Sequence, residues 1–178
     1  MKKVVIISAS PRRGGNSEVL ANEFANGAKS VGHQVDIVKL RKLNLNYCLG
    51  CYHCKKKGKC IYNDGMAEVL GKLLEADVIV FSTPVYFYSM CGQLKVFIDR
   101  LVPIYDKIRA DVYLMATQWD KEKEIMEQTF EAIRGCTRDC FIDCPEKGRL
   151  YGVALDGIGA ASKRYDYLQQ AFDMGKNC

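Results

Sequence analysis

Short apolar runs alternate with helical repeats along the whole chain. The run Val4-Val5-Ile6-Ile7 has no polar interruption, which is typical of a strand buried on both faces. Leu20, Phe24 and Ala28 then recur at helical spacing, and Gly32 follows where a helix would end. The beginning of the chain therefore predicts a buried strand that leads into an amphipathic helix.

The same pattern predicts five strands and five helices. The strands cover residues 4–8, 35–38, 78–81, 112–116 and 150–155, and the helical repeats cover residues 20–31, 66–74, 94–101, 125–133 and 168–172. This alternation indicates an α/β fold with a doubly wound, five-stranded parallel sheet in the order 2-1-3-4-5 and helices on both faces. We expect one domain over residues 1–178, with a cysteine-rich loop insertion at residues 48–60.

Composition narrows the class of protein. Apolar residues make up 48% and charged residues 26% of the 178 residues, as in globular proteins, and no apolar run approaches the roughly 20 residues of a membrane span. The first strand begins at once, which leaves no room for a signal peptide, and the nine cysteines then indicate a reducing compartment, the cytoplasm. The net charge of +5 comes without a patterned basic helix, so we expect neither nucleic acid nor a membrane as partner.

Residues 8–17 connect the first strand to the first helix. Small residues there let backbone N–H groups approach an oxygen cluster, and the start of the helix adds partial positive charge. Ser10, Asn16 and Ser17 can donate hydrogen bonds, and two adjacent arginines offer a fork of donors. These features predict a phosphate site. The alternative is an ordinary turn in which Asn16 or Ser17 caps the helix.

A second loop, residues 83–91, follows the third strand and is rich in aromatic residues. In a sheet of this order ligands bind between the first and third strands, so this loop is expected to meet residues 8–17. Pro84 stiffens the exit from the strand, and the aromatic side chains offer flat apolar surface. A phosphate site beside such a loop suits flavin mononucleotide (FMN). Simple packing of the aromatic residues in the core is the alternative.

Both segments resemble the flavin loops of the NADPH-dependent FMN reductase and iron–sulfur flavoprotein families. The likeness lies in Ser10-Pro11-Arg12, Gly15-Asn16-Ser17 and residues 83–89, continued by Gly92-Gln93-Leu94-Lys95 and Asp99-Arg100. It runs from residue 2 to about residue 101. The resemblance implies a flavodoxin-like fold, bound FMN, and a homodimer or homotetramer with flavin sites near the subunit contacts.

The resemblance also assigns site residues by position. For the FMN phosphate it implies Ser10, Arg12, Asn16 and Ser17. For the isoalloxazine ring it implies Pro84, Val85, Tyr86 and Phe87, with Thr117 and Gln118 near the far edge of the ring. No catalytic acid or base is assigned, because hydride enters and leaves through the flavin itself.

Four cysteines form a C-x2-C-x2-C-x5-C pattern: Cys48, Cys51, Cys54 and Cys60. Two-residue gaps allow consecutive thiolates to converge on one soft metal centre, and four thiolates complete a [4Fe–4S] cluster. The spacing resembles the compact motif of iron–sulfur flavoproteins, in which the cluster passes electrons to FMN. Zinc is a second candidate for four thiolates, and free thiols are a third interpretation.

A second group of cysteines, Cys136, Cys140 and Cys144, recurs every four residues, which on a helix would align the thiols along one face. Gly135 and Pro145 argue against a long helix there. A second metal site and buried free thiols are the two interpretations of this group.

Three functions follow from these patterns. The first is an FMN-dependent oxidoreductase that passes electrons from NAD(P)H, its co-substrate, to a quinone, a flavin, a nitro-aromatic compound or a protein acceptor. The second is an electron carrier of the iron–sulfur flavoprotein type, with FMN and [4Fe–4S], that takes electrons from ferredoxin. The third, of another class, is a non-enzymatic binding module built on the flavodoxin-like fold.

Overall fold

The computed structural model describes residues 1–178, and its centre is a parallel sheet. The strands are β1 (Lys3–Ser8), β2 (Gln34–Lys39), β3 (Val78–Tyr86), β4 (Ser89–Met90), β5 (Asp111–Thr117) and β6 (Glu146–Gly152). Their order across the sheet is β2-β1-β3-β5-β6, with parallel pairing throughout. The predicted order 2-1-3-4-5 is therefore confirmed, because β4 only adds a short antiparallel pairing to the end of β3.

Helices cover both faces of the sheet. They are α1 (Asn16–Ser30), α2 (His53–Lys57), α3 (Met66–Leu74), α4 (Gly92–Asp99), α5 (Glu127–Thr137) and α6 (Tyr165–Lys176). None of them is both long enough and apolar enough to pass through a lipid bilayer. That residues 1–178 form one domain stays a prediction.

Two apolar cores explain the uninterrupted hydrophobic runs of the strands. Val5 and Ile7 of β1 pack in the larger core, which includes residues of α3, α4 and α5. Val4 and Ile6 pack in the smaller core, which includes residues of α1 and α6. The middle of a strand that is covered on both faces has no solvent-facing position, so the residues there are apolar, whereas the two ends of β1, Lys3 and Ser8, are polar.

The last strand begins earlier than its apolar run predicted. The sequence predicted residues 150–155, whereas β6 covers Glu146–Gly152. Its charged beginning is held by α5, because Glu146 accepts hydrogen bonds from Arg134 at 2.7 and 3.0 Å. An edge strand tolerates such polar residues, and hydrophobicity alone therefore misplaced it.

Regular structure also occurs where the sequence predicted loops. The cysteine-rich segment contains α2, which ends at Gly58 with a positive φ of 71°. In the aromatic loop, β3 continues to Tyr86 and forms a hairpin with β4. Conversely, α5 ends at Thr137, so Cys140 and Cys144 lie beyond the helix. The doubt that Gly135 and Pro145 raised about a long helix was therefore justified.

Candidate functional site

A cavity of about 340 Å³ opens at the carboxyl ends of the central strands. Its lining comes from four segments, within residues 10–17, 84–86, 117–119 and 155–158. Of the residues that the resemblance assigned to flavin, all line this cavity except Phe87. A crevice at the switch point between β1 and β3 is where open α/β sheets bind their ligands. The structure thus brings the two predicted loops together.

The loop between β1 and α1 is folded tightly onto itself. Ser10 Oγ donates to the carbonyl of Arg12 at 2.9 Å and accepts from its N–H at 3.2 Å. A Cβ on Gly15 would lie 2.3 Å from Ser10 Oγ, so glycine is required there. Gly15 is also the N-cap of α1, and neither Asn16 nor Ser17 caps the helix with its side chain. Capping of the helix by the side chain of Asn16 or Ser17 is therefore absent, and whether the loop binds phosphate stays a prediction.

The same loop offers unused hydrogen-bond donors to a ligand. The first N–H groups of an α-helix have no partner within the helix, and no side chain supplies one at α1. The Ser17 hydroxyl is buried and has no hydrogen-bond partner. Arg12 is exposed and lines the cavity, so its guanidinium can reach an anion there. These residues fit a phosphate group.

Asn16 connects the loop between β1 and α1 to residues 155–161, for which the sequence indicated no role. Its Nδ2 donates to the carbonyls of Leu155 at 3.2 Å and Gly157 at 3.0 Å, and its Oδ1 accepts from Ala161 N–H at 3.0 Å. The amide that was expected to bind phosphate is therefore occupied by residues 155–161. No sequence signal indicated this contact, because 139 residues separate Asn16 from Leu155.

The aromatic loop lines the cavity with only part of its length. Pro84 and Val85 are half-buried and Tyr86 is more exposed, and all three line the cavity. Phe87 does not: it is fully exposed at the tip of the hairpin. Phe87 and Tyr88 have positive φ angles of 49° and 61°, which is strained for residues with large side chains. The structure therefore separates Phe87 from its own chain's cavity.

The end of β5 supplies the third side of the cavity. Thr117 and Gln118, which the resemblance assigned to the far edge of the ring, are buried there and line the cavity. Gln118 Nε2 donates to the carbonyl of Glu122 at 2.7 Å, while Gln118 Oε1 is buried without a donor. That oxygen can accept a hydrogen bond from a ligand. Trp119, to which no role was assigned from the sequence, follows as an exposed aromatic residue on the cavity wall.

Behind the cavity, hydrogen bonds fix the two loops against each other. Cys91 N–H donates to Thr83 Oγ1 at 3.2 Å, and the Cys91 thiol donates to the carbonyl of Ala9 at 3.2 Å. Cys91 is completely buried and does not line the cavity, so its role is to connect the end of β1 to the aromatic loop. The end of β1 and the aromatic loop consequently hold a fixed separation.

The four cysteines of the predicted cluster line a second cavity, of about 140 Å³. Cys48 and Cys51 are exposed, Cys54 and Cys60 are partly buried, and all four are free thiols. No three His, Cys, Asp or Glu side chains stand in a geometry that holds a metal ion. The donor set has the chemistry of an iron–sulfur or zinc site, but this arrangement of the loop does not bring the thiols to one centre.

A buried ion pair connects the two ends of the cysteine-rich segment to Arg100, the residue that follows α4. Arg100 donates to the carbonyl of Asn46 at 2.6 Å and to the Asp64 carboxylate at 2.8 and 3.0 Å. The side chains of Arg100 and Asp64 are only 2% and 6% exposed. Burial by itself would raise the pKa of Asp64, but hydrogen bonds from Arg100 and from the N–H groups of Asn46 and Met66 outweigh it and lower the pKa.

The second cysteine group does not form a site. Cys140 donates to the carbonyl of Gly135 at 3.2 Å, and Cys144 donates to that of Ile108 at 3.6 Å. Cys136 is buried, and burial raises the pKa of its thiol to about 12, so the thiol stays neutral. The interpretation of buried free thiols therefore holds for Cys136 and is wrong for the exposed Cys140, while Cys144 is partly buried.

Solved structures of reductases share this architecture. A structure of NAD(P)H:quinone oxidoreductase from Methanothermobacter marburgensis matches with a TM-score of 0.77 at 18% identity, over 99% of this chain and 95% of that chain. An azoreductase from Bacillus anthracis matches with a TM-score of 0.71 at 16% identity, over 100% of both chains. Likeness at such low identity confirms the flavodoxin-like fold alone.

Proteins of similar sequence include several that are named iron–sulfur flavoproteins. An iron–sulfur flavoprotein of Methanocaldococcus jannaschii is 41% identical over 102 residues, which are 57% of this chain and 53% of that protein. An iron–sulfur flavoprotein of Archaeoglobus fulgidus is 35% identical over 101 residues, 57% of this chain and 46% of that protein. The chain thus spans about half the length of the curated relatives it matches. The family model described as NADPH-dependent FMN reductase matches residues 2–118 of this chain. The chain therefore belongs to the NADPH-dependent FMN reductase family.

Proposed function

We propose that this protein is an FMN-dependent oxidoreductase that passes electrons from NAD(P)H to a quinone, a free flavin, a nitro-aromatic compound or a protein acceptor. The observation that carries the proposal is the single cavity onto which both the phosphate loop and the aromatic loop open. Its open mouth and aromatic wall suit flat electron acceptors that dock briefly over a flavin. Membership of the family supports the same cofactor and co-substrate.

The protein's own residues would bind and orient the cofactor. Arg12, Ser17 and the first N–H groups of α1 would hold the phosphate, and Ser10 would join them once its hydroxyl turns from the carbonyl of Arg12. Asn16 keeps residues 155–161 in place beside this site. Pro84, Val85 and Tyr86 offer surface to the ring, with Thr117 and Gln118 at its far edge. FMN supplies the hydride and electron transfer when it is bound. No side chain of the protein is expected to act as a catalytic acid or base.

An FMN titration tests this function. The purified protein should be yellow, or become so with FMN, and should oxidise NADPH or NADH when menadione is the acceptor. Ser17→Ala removes a buried donor at the start of α1 and should weaken FMN binding by about tenfold. Ser30→Ala, at the other end of the same helix, is the matched control and should bind FMN normally. A protein that gains no flavin spectrum with excess FMN would end the proposal.

We also propose that the protein is a homodimer or homotetramer. Tyr86, Trp119 and Ile158 line the cavity and are exposed, and Phe87 and Tyr88 are exposed at the tip of the hairpin that follows Tyr86. Exposed aromatic and aliphatic residues grouped beside a cavity are typical of contact surfaces. Contact between subunits at this surface would place each flavin site near a neighbouring chain.

A second function, an electron carrier with FMN and [4Fe–4S], has its own support. All four cysteines of the pattern line one cavity, and relatives that match more than half of this chain are named iron–sulfur flavoproteins. Four thiolates suit an iron–sulfur cluster, and binding would require the exposed Cys48 and Cys51 to move towards Cys54 and Cys60. Ferredoxin is the proposed electron donor in this case.

Anaerobic purification with analysis of iron, sulfide and zinc decides the second function. Cys51→Ala should abolish iron binding and leave FMN bound, because the phosphate loop shares no contact with this cavity. Cys140→Ala, an exposed cysteine outside the pattern, is the control and should retain iron. Less than about one iron per chain in the reconstituted wild type would rule out the electron carrier and leave the FMN-dependent oxidoreductase as the remaining function. Stoichiometric zinc would identify a structural zinc site. Failure to oxidise any nicotinamide or ferredoxin, with tight binding to a macromolecule, would favour the non-enzymatic module.

A further inference from the structure

A buried carboxylate lies directly behind the phosphate loop. Glu18 is in the first turn of α1, and its side chain is only 4% exposed. Its Oε2 accepts a hydrogen bond from the N–H of Gly14 at 2.9 Å. Its Oε1 contacts Lys39 Nζ at 2.7 Å and Arg41 Nη2 at 3.0 Å. One side chain therefore connects the loop, the first helix and the chain that leaves β2.

An acidic side chain in this position needs an explanation, because it repels a phosphate that binds nearby. Two cations, Lys39 and Arg41, surround Glu18, so the three groups together carry a net positive charge. Burial alone would raise the pKa of Glu18, but the hydrogen bonds from Lys39, Gly14 and Arg41 outweigh it and lower the pKa. The carboxylate is thus ionised and firmly held, and its charge is more than compensated.

The hydrogen bond from Gly14 to Glu18 holds the residue of the loop that has a positive φ angle. Gly14 has a φ of 67°, a conformation that residues with a side chain rarely adopt. The next residue, Gly15, is the N-cap of α1 and lies so close to Ser10 that a side chain would not fit there. Holding the N–H of Gly14 therefore fixes the turn that aims the free N–H groups of α1 at the cavity. Arg41 stays in this arrangement although its Nη1 is buried without a partner.

We propose that Glu18 is a positioning residue of the phosphate site, which presets the loop through Gly14 so that the protein selects phosphorylated flavin over riboflavin. Lys39 and Arg41 are the counter-ions that keep the carboxylate in place and cancel its repulsion of the phosphate. This role rests on the proposed FMN function. It differs from ordinary stabilisation of the fold, because it acts on the phosphate end of the ligand and leaves the ring unaffected.

Paired titrations with FMN and riboflavin, followed by quenching of flavin fluorescence, test the proposal in the full-length protein. Glu18→Ala removes the acceptor for Gly14, so FMN binding should weaken by about tenfold or more while riboflavin binding changes by less than about twofold. Glu18→Gln keeps one oxygen as an acceptor for Gly14 but places an NH2 group against Lys39 and Arg41, so it should bind FMN more tightly than Glu18→Ala and less tightly than the wild type. General damage to the fold would lower both affinities together.

Gly14→Ala provides a second variant at an exposed position, in case Glu18→Ala does not fold. A Cβ there would meet nothing within 4 Å, so the change acts only through the positive φ, and it should weaken FMN binding selectively, by about tenfold. Equal losses of FMN and riboflavin, or normal FMN binding in Glu18→Ala or Gly14→Ala, would overturn the role of Glu18. A wild type that binds neither flavin would refute the proposed function instead.

Discussion

Gly27 of α1 and Gly175 of α6 let the backbones of the two helices touch. A Cβ on Gly27 would lie 1.9 Å from the carbonyl oxygen of Phe172, and one on Gly175 would lie 2.0 Å from that of Phe24. No side chain can be placed at either position without moving a helix. Because the N-terminus of α1 forms one side of the cavity, this contact also sets where the phosphate loop stands relative to the sheet.

Gly27→Ala should therefore destabilise the protein by about 1–3 kcal/mol, because the added methyl group meets backbone atoms that cannot rotate away. Urea unfolding measures the effect. Gly71→Ala, inside α3 with nothing within 4 Å of the new methyl group, is the matched control. It should raise stability by about 0.5–1 kcal/mol, because alanine favours helix over glycine. Equal effects of the two changes would show that the helices do not touch at Gly27.

Replacing Asn16 should loosen residues 155–161 and weaken FMN binding. Asn16→Ala removes three hydrogen bonds to that segment. Two of them are donated by Nδ2, and one is accepted by Oδ1. We expect FMN affinity to fall by about 10- to 100-fold, and amide hydrogen exchange of Ala161 to accelerate. Asn26→Ala, on the exposed side of the same helix, should change neither quantity. Slow exchange at Ala161 in Asn16→Ala would be inconsistent with the contact.

The ion pair of Asp64 and Arg100 should make stability depend on pH. The folded protein lowers the pKa of Asp64, so its contribution is fully present above the ordinary pKa of the carboxyl and is lost as pH falls through the lowered value. Asp64→Asn leaves Arg100 buried without a counter-ion, which costs about 3–5 kcal/mol at neutral pH.

Unfolding of the wild type and of Asp64→Asn between pH 7 and about pH 2 measures this dependence. The difference in the free energy of unfolding should be constant above about pH 5 and shrink below about pH 4. Asp166→Asn breaks an exposed ion pair with Arg164 and should change stability little at any pH in this range. A difference between wild type and Asp64→Asn that is independent of pH would contradict the assignment.

The sequence predicted the sheet because its strands are apolar on both faces. Val4, Val5, Ile6 and Ile7 divide between two cores, and this division is visible as an uninterrupted run. The position of the loop between β1 and α1 at the cavity was predictable for a related reason, because small residues that follow a buried strand suit a binding site at the carboxyl edge of the sheet. Both features are local, so each can be identified from neighbouring residues in the sequence.

Features that depend on distant contacts were not predictable. Asn16 looks like a phosphate ligand or a helix cap in the sequence, and only the folded chain brings it to Leu155. The beginning of β6 is polar because Arg134 of α5 neutralises Glu146, which no hydrophobic pattern reveals. Glu18 likewise resembles a solvent-facing helix residue until the end of β2 places Lys39 beside it.

The turn at the tip of the aromatic hairpin should be stabilised by smaller residues. Phe87 and Tyr88 form a two-residue turn between β3 and β4, and both have positive φ angles, as in turns that favour Asn-Gly. The double change Phe87→Asn with Tyr88→Gly should raise the stability of the isolated chain by about 1–2 kcal/mol. Thermal unfolding at low protein concentration measures it.

The same double change should also weaken association of subunits, because it removes two exposed aromatic side chains beside the cavity. Light scattering during size-exclusion chromatography would then give a smaller mass for the variant than for the wild type. Tyr165→Ser, which removes an exposed aromatic residue of α6 away from this cavity, should leave the mass unchanged. A strained turn persists only where something compensates its cost. If the variant is more stable and keeps the wild-type mass, subunit contact is not that compensation, and the exposed ring of Phe87 has another role.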